Sequence, residues 1–174
     1  MNTGQGQLDW RSMDALVCDF DGVLTDNHVY VGEDGSESVR CNRSDGLAFD
    51  ALRRLGLPVR ILSTERNPIV IARAEKLRLK AVHGVESKRR ELARMAEDES
   101  WSLDHVLYVG NDLNDLPAMR ICGHRACPSD AHPAVMAEAT LCTDAAGGEG
   151  VVRELVEATL GVDIAEVLYA EQSQ

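Results

Sequence analysis

The chain reads as an α/β protein, a parallel sheet held between two layers of helices. Three observations point there. Short apolar runs alternate with longer segments whose apolar residues recur at helical spacing, the order that builds a parallel sheet through right-handed crossovers. The first run, Ala15-Leu-Val-Cys18, is continuously apolar, as a strand covered on both faces must be. A length of 174 residues suits one domain that buries about two-thirds of its unfolded surface.

The opening Met-Asn-Thr-Gly-Gln-Gly-Gln is polar and lacks the apolar core of a secretion signal, so residues 1–12 are expected to form a tail. A strand follows over Asp14–Phe20. Residues 28–42 break the alternation: β-branched residues flank Glu-Asp-Gly, which predicts a β-hairpin standing off the sheet. A helix is expected over Asp45–Leu55, with Ser44 as its N-cap and Gly56 at its C-terminus. Val59–Ser63 is a strand, and Pro68–Leu77 a helix opened by Asn67 as cap and Pro68 at the first helical position. Ala81–His83 is a weaker strand before a helix over Lys88–Ala96. His105–Gly110 is a strong strand, and Leu113–Ile121 a helix. The pattern continues with strand His124–Cys127, helix Pro133–Ala139, strand Thr140–Cys142 and helix Glu149–Leu160. No repeat, linker or second domain is visible. A single domain over residues 13–162 is therefore expected, with residues 163–174 as a C-terminal tail.

Composition excludes several functions. A net charge of −11 argues against a nucleic-acid-binding surface. No run approaches the ~18 apolar residues of a membrane helix, so no membrane partner is expected. Cys18, Cys41, Cys122, Cys127 and Cys142 are dispersed and form no C-x-x-C pair, which predicts reduced, mostly buried thiols in a cytoplasmic protein. The histidines show no metal-ligand spacing, and no glycine-rich nucleotide loop is present.

The chemistry gathers where the strands end, the edge at which open parallel sheets bind ligands. The first strand delivers Asp19 and Asp21, which as i and i+2 of an extended segment project to one side. Two carboxylates so placed repel unless a cation sits between them, and a hard divalent ion such as Mg²⁺ fits. The bland alternative is a strand followed by an Asp-Gly turn. Three further loops weigh against it. The second strand ends in Ser63-Thr-Glu-Arg66, the third loop brings Lys88 to a helix start, and the fourth reads Gly110-Asn-Asp-Leu-Asn-Asp115. Carboxylates, a hydroxyl and a lysine on one edge match the needs of phosphoryl transfer through an aspartyl phosphate. One aspartate attacks phosphorus, another moves protons, a metal offsets charge, and the hydroxyl and lysine hold the phosphoryl oxygens.

Asp19-Phe-Asp-Gly-Val-Leu-Thr25, Leu62-Ser-Thr64, Ser87-Lys88 and Gly110-Asn-Asp-Leu-Asn-Asp115 resemble the four motifs of the haloacid dehalogenase (HAD) phosphatase superfamily. The hairpin Tyr30-Val-Gly-Glu-Asp-Gly35, Asn42-Arg-Ser-Asp-Gly46, Ala131-His-Pro133 and Gly147-Gly-Glu-Gly-Val-Val-Arg-Glu154 narrow the likeness. They resemble the capless branch that contains 3-deoxy-D-manno-octulosonate 8-phosphate phosphatase and the nonulosonate (KDN or sialic acid) 9-phosphate phosphatases.

The resemblance implies a Rossmann-like three-layer fold with a hairpin flap and no cap domain. It makes Asp19 the nucleophile and Asp21 the general acid/base, with Ser63 and Lys88 holding the phosphoryl group. Mg²⁺ would rest on Asp19, Asp21 and the fourth motif, which in this branch begins Gly-Asp-Asp. Here Asn111 and then Asp112 stand in that place, so either could supply the third ligand. Thr25, Asn42, Thr64, Glu65, Arg73 and Lys76 are candidate substrate contacts. Glu65 with Arg73-x-x-Lys76 resembles the nonulosonate enzymes in particular, two cations suiting a sugar-acid carboxylate. The plain alternative for Arg73 and Lys76 is a solvated helix face. A homotetramer whose neighbouring chain covers the active site is also implied. A competing reading takes Asn111 as the mark of a non-catalytic oligomerisation module, like the related domain of some sialic acid cytidylyltransferases. A phosphorylated signalling receiver fits less well, because Asp21 would hydrolyse its phosphoaspartate.

Overall fold

The computed structural model describes residues 8–170, and apolar burial explains its framework. β1 is Ala15–Cys18, every residue buried; β2 (Thr25–Val31) and β3 (Glu37–Cys41) form an antiparallel hairpin of their own. α1 (Ser44–Arg54), β4 (Val59–Leu62), α2 (Ile69–Leu77), β5 (Lys80–Val82) and α3 (Lys88–Asp98) follow. Then come β6 (Val106–Val109), α4 (Leu116–Met119), β7 (His124–Cys127), α5 (Pro133–Glu138) and β8 (Leu141–Cys142). The chain closes with α6 (Val151–Glu154), a π-helical turn over Leu155–Thr159, and α7 (Ile164–Tyr169).

Six strands make one parallel sheet in the order β5-β4-β1-β6-β7-β8. Successive side chains leave opposite faces of a strand, so each central strand feeds two cores. Leu16, Cys18, Ile61, Leu107 and Val109 pack under α1, α2, α6 and α7. Ala15, Val17, Leu62, Val106 and Tyr108 pack under α3, α4 and α5. This is the expected three-layer architecture, and no cap domain is inserted among the described residues. No helix among them is long and apolar enough to cross a membrane. β1 lies between β4 and β6, so the loops after these three strands converge on one edge.

Several local expectations are corrected. Ser44 does not cap α1: it is the helix's first residue, and its backbone N–H and hydroxyl both donate to Asn42 Oδ1, at 2.9 and 2.8 Å. Asn67 does cap α2, its Oδ1 accepting from Ile69 N at 3.0 Å, and Gly56 follows α1 with φ +79°. α4 is far shorter than Leu113–Ile121, because Asp115 Oδ2 draws in the N–H groups of Asn111 and Asp112 and ties those residues into a turn. The helix expected through Leu160 widens into its π turn at Leu155, with Leu160 N donating to Leu155 O, five residues back. The terminal segments are less tail-like than their polarity suggested. Residues 1–7 lie outside the described residues, but Leu8 N donates to Thr159 O and Trp10–Ser12 form a 3₁₀ turn. Residues 171–174 also lie outside, whereas α7 buries Ile164 and Leu168 in the core.

Candidate active site

The strand ends deliver a buried charge cluster. Lys88, the first residue of α3, is pinned there by Ser87, whose side chain caps the helix by accepting from Arg90 N. Its ammonium lies 2.6 Å from Asp19 Oδ2 and 2.7 Å from Asp115 Oδ1. Asp115 is fully buried, and Tyr108 Oη donates to it from the core at 2.8 Å. Asp19 Oδ1 accepts from Phe20 N at 2.7 Å, which fixes the carboxylate's rotation. Burial, followed by the charge of Asp115, pushes the Asp19 carboxyl up to about 7, while Lys88 pulls it back. Burial also opposes the charge on Lys88, but the two carboxylates outweigh it and hold its pKa above the ordinary value. Two carboxylates facing one ammonium leave the cluster one positive charge short.

Asp21 is half-buried beside this cluster. Thr25 donates its hydroxyl to Asp21 Oδ1 at 3.4 Å and accepts from Gly22 N and Asn27 N at 3.1 and 3.2 Å. Thr25 is itself buried, so the structure makes it a positioning group for Asp21 rather than a surface a substrate could touch. Burial, and then the nearby charge of Glu65, raise the Asp21 carboxyl above its ordinary pKa. Gly22 is required where it stands. Its φ is +77°, and a β-carbon there would fall 1.9 Å from Asn111 Nδ2.

Asp19, Asp21, Ser63, Thr64, Asn111 and Asp112 line one small cavity of about 80 Å³ together with Asn27 and Asn114. Larger hollows of about 320 and 360 Å³ lie elsewhere and hold neither aspartate of the pair, so size alone would misplace the chemistry. Ser63 is buried and uses its oxygen to accept from Glu65 N at 3.0 Å, which leaves its hydroxyl hydrogen to donate. Thr64 accepts from Asn114 Nδ2 at 3.2 Å, which ties the second loop to the fourth. Glu65 lies outside this cavity but shares a neighbouring one with Asp21. Asn42 is spent on structure: its Oδ1 receives Ser44, and its carbonyl receives Arg73 Nη2 at 3.0 Å. Arg73 and Lys76 line the 360 Å³ hollow between α1 and α2, which has no residue in common with the aspartate cavity. Within one chain, then, the two cations and the aspartate pair form separate sites. Asp115 was not among the expected site residues, although its fixed place four residues after Asn111 was the available signal.

The sequence pattern of the haloacid dehalogenase-like hydrolases matches residues 60–155. The chain belongs to this family. Its relatives include the 3-deoxy-D-manno-octulosonate 8-phosphate phosphatase KdsC of Escherichia coli K12, 32% identical over 83% of this chain and 78% of that protein. KdsC of Salmonella typhi matches to the same extent. Among solved structures, a candidate HAD family hydrolase from Streptomyces avermitilis superposes with a TM-score of 0.88 at 41% identity, covering 91% of each chain. The 3-deoxy-D-manno-octulosonate 8-phosphate phosphatase of Moraxella catarrhalis, solved with magnesium, phosphate and KDO, superposes with a TM-score of 0.86 at 26% identity, covering 95% of each chain. This HAD-like hydrolase is thus a phosphoric monoester hydrolase.

No group of three or more His, Cys, Asp or Glu side chains is arranged for a metal among the described residues. A hard cation, however, also takes amide carbonyl oxygens. Asn111 Oδ1 is buried, lies on the aspartate cavity and has no hydrogen-bond partner. Asp112 is exposed, and its Oδ1 already accepts from Leu113 N at 2.7 Å. The donor set therefore fits a divalent cation, with Asn111 the better third ligand beside Asp19 and Asp21. Such an ion would offset the surplus negative charge and the charge of an incoming phosphoryl group.

Proposed function

We propose that this HAD-like hydrolase is a Mg²⁺-dependent phosphatase of an acidic sugar phosphate, a nonulosonate 9-phosphate or an octulosonate 8-phosphate. The observation that carries the reading is Asp19 held by Lys88 and by Phe20 N, with Asp21 alongside. Asp19 attacks phosphorus as the bond to the sugar oxygen breaks, and Asp21 gives that oxygen its proton. Asp21 then takes a proton from water as the water attacks the aspartyl phosphate, which releases inorganic phosphate and restores Asp19. The raised pKa of Asp21 suits the acid role in the first half. Ser63 and Lys88 donate to the phosphoryl oxygens. Asp19, Asp21 and Asn111, with Asp112 adjoining, would hold Mg²⁺.

Curated relatives that act on 3-deoxy-D-manno-octulosonate 8-phosphate support the octulosonate. The Glu65, Arg73 and Lys76 pattern supports the nonulosonate. Arg73 and Lys76 lie apart from Asp19 within the chain, so their role in substrate binding needs a homotetramer that brings a neighbour's cations over the site. The hairpin leaves Val29, Tyr30 and Val31 between 52% and 67% exposed, which favours such a cover. The non-catalytic reading rested on Asn111, and a ligand-ready amide oxygen removes that motive.

Phosphate release should be measured with both sugar acids and a panel of neutral sugar phosphates. One of the acids should lead by kcat/KM, and Asp19→Asn should lower kcat by on the order of 10⁴-fold or more. Uniformly weak rates would sink the substrate assignment, and an unaffected Asp19→Asn variant the mechanism.

A further inference from the structure

A second cavity, of about 270 Å³, opens from the aspartate site and shares Asp21 and Asn27 with it. Its polar lining is unusual for a protein expected to bind an acid. Asp21, Glu37 and Glu65 all face it, and no lysine or arginine does. Glu37 comes from the hairpin and is held by Asn67 Nδ2, which donates to its Oε2 at 2.7 Å from the start of α2. Glu65 Oε1 is occupied by the N–H groups of Arg66 and Asn67, at 2.6 and 2.8 Å. Each carboxylate thus has one oxygen anchored and the other available as an acceptor. Asn27 sits between the two cavities at φ +62°, a conformation that costs a non-glycine residue energy. Val29, Val39 and Ile69 supply the apolar wall.

We propose that this cavity binds the polyhydroxylated, uncharged stretch of carbon chain next to the phosphate ester and rejects a carboxylate there. Anchored acceptors over an apolar wall suit C–H and O–H groups in alternation, whereas a carboxylate would meet three like charges with no cation to offset them. The inference rests on the phosphatase reading. It adds a consequence: the acid group of an acidic substrate has to be carried to the far end of the chain, beyond this cavity.

The test uses the full-length protein with Mg²⁺ and three esters. Erythritol 4-phosphate is a neutral polyol, 4-phosphoerythronate carries a carboxylate on the same chain, and p-nitrophenyl phosphate makes no use of the cavity. The polyol should exceed the carboxylate by about tenfold in kcat/KM. Glu37→Gln should raise KM for the polyol about fivefold, leaving kcat and the rate on p-nitrophenyl phosphate unchanged. Glu37→Lys should turn the preference toward the carboxylate. Unchanged polyol-to-carboxylate ratios in both variants overturn the inference while leaving the phosphatase intact. So does a Glu37→Gln loss that is equal on all three esters. A wild-type protein with no Asp19-dependent rate on any ester overturns the underlying reading instead.

Discussion

At the scale of single residues, the site turns on how much negative charge surrounds Asp19. Lys88 offsets one of two buried carboxylates, and Asn111 contributes a dipole where related motifs carry an acid. Cation affinity rises with the number of charged ligands. Asn111→Asp should therefore lower the Mg²⁺ concentration that half-saturates thermal stabilisation by about tenfold. The same change should destabilise the metal-free protein, because a further carboxylate joins Asp19 and Asp115 without a new partner. A Mg²⁺ titration followed by unfolding temperature reads both effects. Equal midpoints in the wild type and Asn111→Asp, with loss of binding in Asp112→Asn, would move the ligand to Asp112. This also marks what the sequence could convey about the site. Spacing located Asp19, Asp21, Ser63 and Lys88, since each follows a strand or opens a helix. It could not distinguish Asn111 from Asp112, because that choice depends on which oxygen is already hydrogen-bonded. Nor could it show that Thr25 and Asn42 spend their polar atoms internally.

Among the elements, α7 is the clearest departure from the sequence expectation. The residues were legible: Asp163 caps the helix by accepting from Glu166 N, and Ile164, Val167 and Leu168 stand at i, i+3 and i+4. The segment is under two turns, too short for periodicity to distinguish it from a tail. Its order comes instead from tertiary contacts. Leu168 is 5% exposed in the core cluster, and Arg54 Nη1 donates to Leu168 O at 3.0 Å. Leu168→Ala should cost about 2–4 kcal/mol in denaturant unfolding, as core truncations do. A true tail would give under about 0.5 kcal/mol. The strands were easier to read for the complementary reason. A run such as Val106–Val109 is buried on both faces, so its composition alone specifies where it lies. α4 went wrong where catalysis and helix formation compete for the same residues, since Asp115 takes the N–H groups of the loop before the helix can begin.

For the whole molecule, charge should couple stability to pH and metal. Asp19 is raised to about 7 from an ordinary 3.8, so between those values the folded protein keeps a proton the unfolded chain has released. That contribution is complete below about pH 4 and is lost as the pH rises through about 7. Asp45, raised to about 6 by burial, acts in the same direction over a lower range. Asp26, Asp34, Glu99 and Glu138 are held below their ordinary values, so their contributions are lost only under about pH 4.5. A net charge of −11 adds self-repulsion as the last carboxyls ionise. Metal-free protein should therefore lose ~5 °C or more in unfolding temperature between pH 5 and pH 7.5. Saturating Mg²⁺ favours the ionised form of Asp19 and should flatten the upper part of that decline. Asp45→Asn should flatten the lower part whether or not metal is present. Thermal scans in chelator and in Mg²⁺ at four pH values separate the two. Parallel curves with and without Mg²⁺ would mean that the cation does not meet Asp19, and the surplus negative charge of the Asp19–Lys88–Asp115 cluster would need another partner.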